Sequence, residues 1–298
     1  MTLARVRLRA DADQRSRYTG PIMRIQLFSD LHLERDPTFE PLVHPGTDVI
    51  VLAGDIGSYQ ARSRLQDEDF GLARFSPQGT SSPARVLYVP GNHEFDSLEH
   101  DDAYERLQRV CARLGIEWLD RRVLVIDGMR FIGSTLWADF DAVAGQEPDL
   151  AKQLQARGKA FRAANYYLAK NTTFRGGEPV LAEGQREMSL ACQDWLRGAL
   201  AAPFDGPTVV VTHYAPSLRS ADPRYGLTPG TAGFCNGMDE LIPYADIWMH
   251  GHLHCANDYL VESEIDGRQR SCRVVANPLG YANKGEQAAF RPDLVIEL

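Results

Sequence analysis

Five short apolar runs in this chain each end on a residue that can hold a charge or carry a proton. Residues 24–28 run into Ser29-Asp30-Leu31-His32, 49–53 into Gly54-Asp55, and 86–89 into Pro90-Gly91-Asn92-His93-Glu94. Further along, 209–211 run into Thr212-His213 and 247–249 into His250-Gly251-His252-Leu253-His254. Runs this short and rich in Val and Ile read as buried strands, and none approaches the ~20 apolar residues that a membrane-spanning helix needs. Runs at 123–126, 130–133, 273–276 and 294–297 read the same way, and helical spacing over 99–114, 149–170 and 184–200 alternates with them. That alternation predicts an α/β layered domain.

In an open α/β sheet ligands bind beyond the carboxyl ends of the strands, so residues far apart in sequence can converge there. Asp30 and His32 are two apart, as are His252 and His254, and on an extended segment such pairs point to one side. The donor set is mixed: carboxylates from Asp30 and Asp55, an amide oxygen from Asn92, imidazoles from His32, His213, His252 and His254. Imidazole with carboxylate suits Mn, Fe or Zn better than an all-oxygen Ca or Mg cage. Seven donors exceed one tetrahedral ion, whereas two divalent ions sharing a carboxylate use them all; a single-ion hydrolase remains the alternative.

The motifs D-x-H, G-D, G-N-H-E, a single His after a strand, and G-H-x-H, in that order, resemble the calcineurin-like metallophosphoesterase family over about residues 23–283. The resemblance implies a four-layer α/β/β/α sandwich of two facing mixed sheets. It implies that Asp30, His32 and His254 bind one metal, that Asn92, His213 and His252 bind the second, and that Asp55 bridges them. His93 would then contact the phosphate and protonate the leaving group, a task that suits an imidazole. The implied function is metal-dependent phosphoester hydrolysis of a small-molecule or nucleotide substrate, with monoester and diester equally open. The rival is a catalytically silent binding or scaffold protein of the same fold, against which stands the presence of every expected ligand and of His93.

The sequence departs from the protein serine/threonine phosphatases of that family. Their second motif continues G-D-x-x-D-R-G, supplying an Asp that orients the catalytic His, but here the run is Gly54-Asp55-Ile56-Gly57-Ser58-Tyr59-Gln60. Another residue must orient His93, and Glu94 and Asp96 are the candidates. Asn277-Pro278-Leu279-Gly280-Tyr281 looks like the N-P-x-G-Y segment of small bacterial-type members and is expected to shape the site's rim, with Tyr214 and Asn283 as candidate substrate contacts. His44 and His100 read as surface or capping residues, and His250 as a core or supporting residue. A helical insertion at about 137–183 is where substrate selection is expected, though its aromatics Trp137, Phe140, Phe161, Tyr166 and Tyr167 read mainly as core.

With 40 Asp+Glu against 32 Lys+Arg the chain carries a formal charge of -8, which disfavours general nucleic-acid binding. Five scattered cysteines without a C-x-x-C pair point to a reduced, cytoplasmic protein. Residues 1–22 lack an apolar signal core and read as a disordered or non-native extension before a single domain over 23–298. Composition leaves the oligomeric state open.

Overall fold

The computed structural model describes residues 20–79, 84–265 and 267–298. The expected N-terminal extension therefore lies outside the described residues up to position 19, as does the 80–83 part of the polar loop before the third strand.

Alternation sorts the strand residues into two cores. In β1 (Arg24–Phe28), β2 (Val49–Ala53) and β3 (Arg85–Val89), Ile25, Leu27, Val49, Val51, Leu87 and Val89 face one way, while Phe28, Ile50, Leu52, Val86 and Tyr88 face the other. The first set meets Phe131, Val209, Val211, Ile247, Met249 and Val275 of a second sheet in a dry interface. Each such side chain contributes about 1.5–3 kcal/mol by leaving water. Strands buried on both faces need apolar residues at every position, which is why they read as uninterrupted runs.

The first sheet runs β13 (Val295–Glu297), β1, β2, β3, β4 (Glu117–Trp118), antiparallel at the β13 edge and parallel elsewhere. The second runs β11 (Asn257–Ile265), β12 (Arg268–Ala276), β10 (Ile247–His250), β9 (Thr208–Thr212), β6 (Met129–Ser134), β5 (Arg122–Ile126), with parallel pairs at its centre and an antiparallel pair at each edge. Helix α1 (His100–Leu114) covers the outer face of the first sheet through Ala103, Leu107 and Val110. On the second sheet lies α3 (Ala182–Ala201), which buries Met188, Cys192 and Leu196. The result is a four-layer sandwich of two mixed sheets flanked by helices.

The sequence reading missed β11. Its polar and charged residues Asp258, Glu262 and Glu264 alternate with half-buried ones, as suits an edge strand with one wet face. Segment 137–183 contains α2 (Leu150–Leu168) and a two-stranded ribbon, β7 (Phe174–Arg175) with β8 (Glu178–Pro179). Of its aromatics, Trp137 and Phe140 are buried and Phe161 packs against the core, but Tyr166 and Tyr167 are 64% and 70% exposed. No helix among the described residues is long and apolar enough to cross a membrane.

Candidate metal centre

The parallel strands of both sheets end at one rim of the sandwich, where loops from the two sheets touch. The His213 Nδ1–H donates to the Ala53 carbonyl at 2.8 Å, and the His252 backbone N–H donates to Asp30 Oδ1 at 2.8 Å. Gly54 holds φ at +85°, and a Cβ there would strike the His213 ring. A Cβ on Gly91 would fall on the Asp55 carboxylate, so the close approach of the second and third motifs requires glycine.

The paired residues converge by a different route from the extended one expected. Asp30, His32, Asp55, His252 and His254 all hold φ between 47° and 70°, the left-handed region that side chains other than glycine rarely adopt. Neither Asp30-Leu31-His32 nor His252-Leu253-His254 belongs to a strand. Alternate left-handed residues curl each segment so that both side chains point inward. Backbone strain of this kind persists only where the surroundings enforce it, and it concentrates at functional sites.

Six of the seven predicted ligands fall into two groups that share Asp55. Its Oδ1 accepts the His93 backbone N–H at 2.9 Å, while Oδ2 faces Nε2 of His213 at 3.3 Å, of His93 at 3.9 Å and of His32 at 4.0 Å. Asp30, His32, Asp55 and His254 form one group able to hold a cation, and Asp55, His213 and His252 form another. Asn92 lies on the same loop as His93, its Oδ1 buried without a hydrogen-bond partner.

The imidazoles are oriented from behind. His32 Nδ1 lies 3.1 Å from Glu34 Oε1 and His254 Nδ1 lies 2.6 Å from Glu286 Oε2, so each donates its Nδ1–H to a carboxylate and turns a bare Nε2 lone pair inward. Those two Nε2 atoms stand 2.9 Å apart. Two lone pairs at that separation repel unless a proton or a metal ion lies between them. His213 is bound the same way by the Ala53 carbonyl, which leaves its Nε2 facing Asp55 Oδ2. Nε2 of His213 and His252 and Oδ2 of Asp30 and Asp55 are all buried without hydrogen-bond partners. Buried polar atoms are rarely left so, and this set fits divalent cations held by nitrogen and carboxylate oxygen.

Electrostatics follow the same geometry. Burial raises the Asp55 pKa, but His213, His93 and His32 outweigh it and hold the carboxyl well below its usual range. Burial, reinforced by His213, keeps His252 neutral, and burial likewise lowers His254. For His213 burial acts downward, yet Asp55 carries it up to about 9.

The two candidate partners of His93 separate cleanly. Asp96 Oδ2 takes the Nδ1–H of His93 at 2.6 Å, leaving Nε2 toward Asp55. Glu94 turns away, accepting the backbone N–H groups of Asp55, Gly91 and Ile56 at 3.1, 2.8 and 2.7 Å. His250 bonds Ser220 Oγ and the Gly251 carbonyl, with burial lowering its pKa to about 4, as a core residue. His44 is exposed, whereas His100 is buried and stacks on Phe95, contrary to a surface reading.

The rim candidates fall elsewhere. Tyr214 is 2% exposed and packs under His252 with ring centroids 3.9 Å apart, because a ring between Trp137 and His252 has no path to solvent. Asn283 is exposed on a short 3-10 turn. Asn277 is buried in bonds to the Leu27 and Arg291 backbones, while Tyr281 stacks on His32 at 4.3 Å. Sequence reasoning missed Glu34 and Glu286. Glu34 continues the two-residue rhythm of Asp30 and His32 and was legible there; Glu286 lies 32 positions from His254 with no motif linking them.

Known proteins resemble this chain in fold and in sequence. A structure of phosphopantetheinyl hydrolase from Mycobacterium tuberculosis superimposes with a TM-score of 0.62 at 19% identity, over 94% of this chain and 96% of that one. Protein L509 of Acanthamoeba polyphaga mimivirus, whose function is uncharacterized, is 22% identical over 263 residues, 84% of this chain and 83% of its own. The model of the calcineurin-like phosphoesterase family matches residues 23–256, a span that takes in every motif ending on the rim. With fold, motifs and ligand geometry in accord, the chain belongs to the calcineurin-like phosphoesterase family.

Proposed function

We propose that this chain hydrolyses a small-molecule or nucleotide phosphoester at a two-metal centre, with His93 as the general acid. Asp30, His32 and His254 would hold one ion and Asn92, His213 and His252 the other, with Asp55 between them. Divalent ions in such a centre neutralise phosphate charge and acidify a water. The observation that carries the reading is the pair of bare imidazole nitrogens 2.9 Å apart, each fixed by a carboxylate behind it.

The chain's own residues supply the rest. Glu34, Glu286 and the Ala53 carbonyl hold the Nδ1–H of His32, His254 and His213 and so aim each Nε2 inward before any ligand arrives. Tyr281 covers the His32 ring and Tyr214 supports that of His252, limiting rotation. His93 side-chain exposure is 23%, against 1% for Asp55, so a substrate can reach the imidazole from solvent. Once Nδ1–H is committed to Asp96, the Nε2 proton is the one delivered.

The test loads the full chain with manganese, counts ions by mass spectrometry and assays bis(p-nitrophenyl) phosphate beside p-nitrophenyl phosphate. Close to two ions per chain and turnover of either ester is the expected result, with a loss of roughly 10²–10⁴-fold in His93→Ala on an ethyl ester assayed alongside, whose leaving group is poor. One ion per chain, or a His93→Ala variant as fast as wild type on every ester, would overturn the assignment.

A further inference from the structure

The hydrogen bonds behind His93 do not stop at Asp96. Asn171 Nδ2 donates to Asp96 Oδ2 at 2.6 Å and to Gln60 Oε1 at 3.0 Å. Gln60 Nε2 in turn donates to Glu34 Oε1 at 3.4 Å and lies equally far from His93 Nδ1, whose proton is already committed to Asp96. Asp96 and Gln60 are 3% and 8% exposed, so this is an interior network. It joins the carboxylate that orients His32 to the carboxylate that orients His93.

Asn171 comes from the turn between α2 and β7, within the segment at 137–183 where substrate selection was expected. The turn is anchored to the tail of the third motif: the Ser97 N–H donates to the Thr172 carbonyl at 2.9 Å and the Phe174 N–H to the Leu98 carbonyl at 2.8 Å. Glu99 accepts the N–H groups of Gly176 and Gly177 at 2.9 and 2.7 Å. Nothing in α2 or its flanking turns supplies one of the predicted metal ligands, yet these bonds hold an amide donor against Asp96.

We infer that Asn171 is a positioning residue for the proposed general acid: its amide fixes Asp96 so that His93 keeps Nδ1–H on Asp96 and Nε2 toward the leaving oxygen. The inference rests on the phosphoesterase reading for its kinetic consequence. An Asp96 carboxylate that accepts only from His93 is free to rotate about its last torsion and lets the imidazole swing. With Asn171 in place one carboxylate oxygen takes two donors and the rotation is stopped. As the P–O bond breaks, the Nε2 proton passes to the departing alkoxide and the imidazole is left neutral with its Nδ1–H still on Asp96.

The test uses Asn171→Leu, which keeps the branched shape and removes the donor, and Asn171→Ala, in the full manganese-loaded chain. Ethyl, phenyl and p-nitrophenyl esters of phosphate are compared. Assistance to the leaving group matters most for ethyl and least for p-nitrophenyl, so kcat for ethyl should fall roughly tenfold, with KM and ion content unchanged and p-nitrophenyl turnover nearly intact. The loss should vanish in a His93→Ala background. An equal loss on all three esters, or the same loss without His93, would overturn the positioning role. A readout free of activity is the downfield Nδ1 proton resonance of His93 in metal-free protein, identified by its absence in His93→Ala. It should exchange at least about tenfold faster in Asn171→Leu, and an unaltered resonance refutes the inference. Failure of the wild-type chain to hydrolyse any ester would overturn the phosphoesterase reading, while the resonance would still decide what Asn171 does.

Discussion

Glu94 and Asp96 sit two residues apart and looked interchangeable as partners for His93, yet replacing each with its amide should have opposite consequences. The Glu94 carboxylate is fully buried and accepts three backbone N–H groups, two on Oε2 and one on Oε1. Glutamine offers one acceptor oxygen. Its better orientation keeps the bonds from Asp55 and Gly91 and turns an NH2 toward the Ile56 N–H, leaving two donors face to face. An unsatisfied buried donor costs about 1–3 kcal/mol, and a midpoint of about 2 kcal/mol corresponds to roughly 4–8 °C in melting temperature for a chain of this size class. Asp96→Asn keeps an oxygen able to accept from His93 and should destabilise by about 1 kcal/mol or less while slowing turnover of poor leaving groups. Differential scanning calorimetry on chelator-treated protein, with kinetics on the reloaded enzyme, measures both. A Glu94→Gln variant melting within a degree of wild type, or an Asp96→Asn variant losing as much stability, would refute this division.

Other expectations follow from the same distances. Asp55→Asn withdraws the carboxylate common to both ligand groups, so bound manganese should drop by at least one ion per chain, read by mass spectrometry after desalting. Gly251→Ala would set a Cβ 2.6 Å from Asp30 Oδ2 and should weaken metal binding roughly tenfold or more with the fold intact, read by calorimetric titration and circular dichroism. His213, raised to about 9 by Asp55, holds a proton near neutrality that a cation must displace, so metal affinity should rise with pH up to about 9. Titration in two buffers of different ionisation enthalpy at pH 7 should give different apparent heats; identical heats would show that no proton leaves.

The strands and the ligand set were legible because burial and chemistry each leave a local mark. Strands buried on both faces read as unbroken apolar runs, and the candidate ligands follow directly at their ends, so β1, β2, β3, β9 and β10 announced the fold and where the candidate site gathers. What was hidden lay where one signal could mean two things or none. β11 alternates like a surface loop because its outer face is wet, and Tyr214 looked like a rim residue because adjacency to His213 says nothing about which way a ring points. Glu286 and Asn171 reach the site from 32 residues after His254 and 75 residues after Asp96. Only the folded chain reveals such partners, since their role rests on a single hydrogen bond and not on a motif. Even the convergence of Asp30 with His32 had the right outcome for a different reason, two left-handed residues where an extended segment was expected.

Those left-handed residues set robustness against activity at this rim. Five positions, Asp30, His32, Asp55, His252 and His254, occupy a backbone region that glycine enters freely and an L side chain enters at a cost of about 1 kcal/mol or more each. The metal-free chain would therefore be relieved by glycine at the positions its proposed chemistry depends on, and relieved again because each replacement removes a buried charge or lone pair directed at its neighbours. A population selected for heat resistance alone would drift toward losing this centre first.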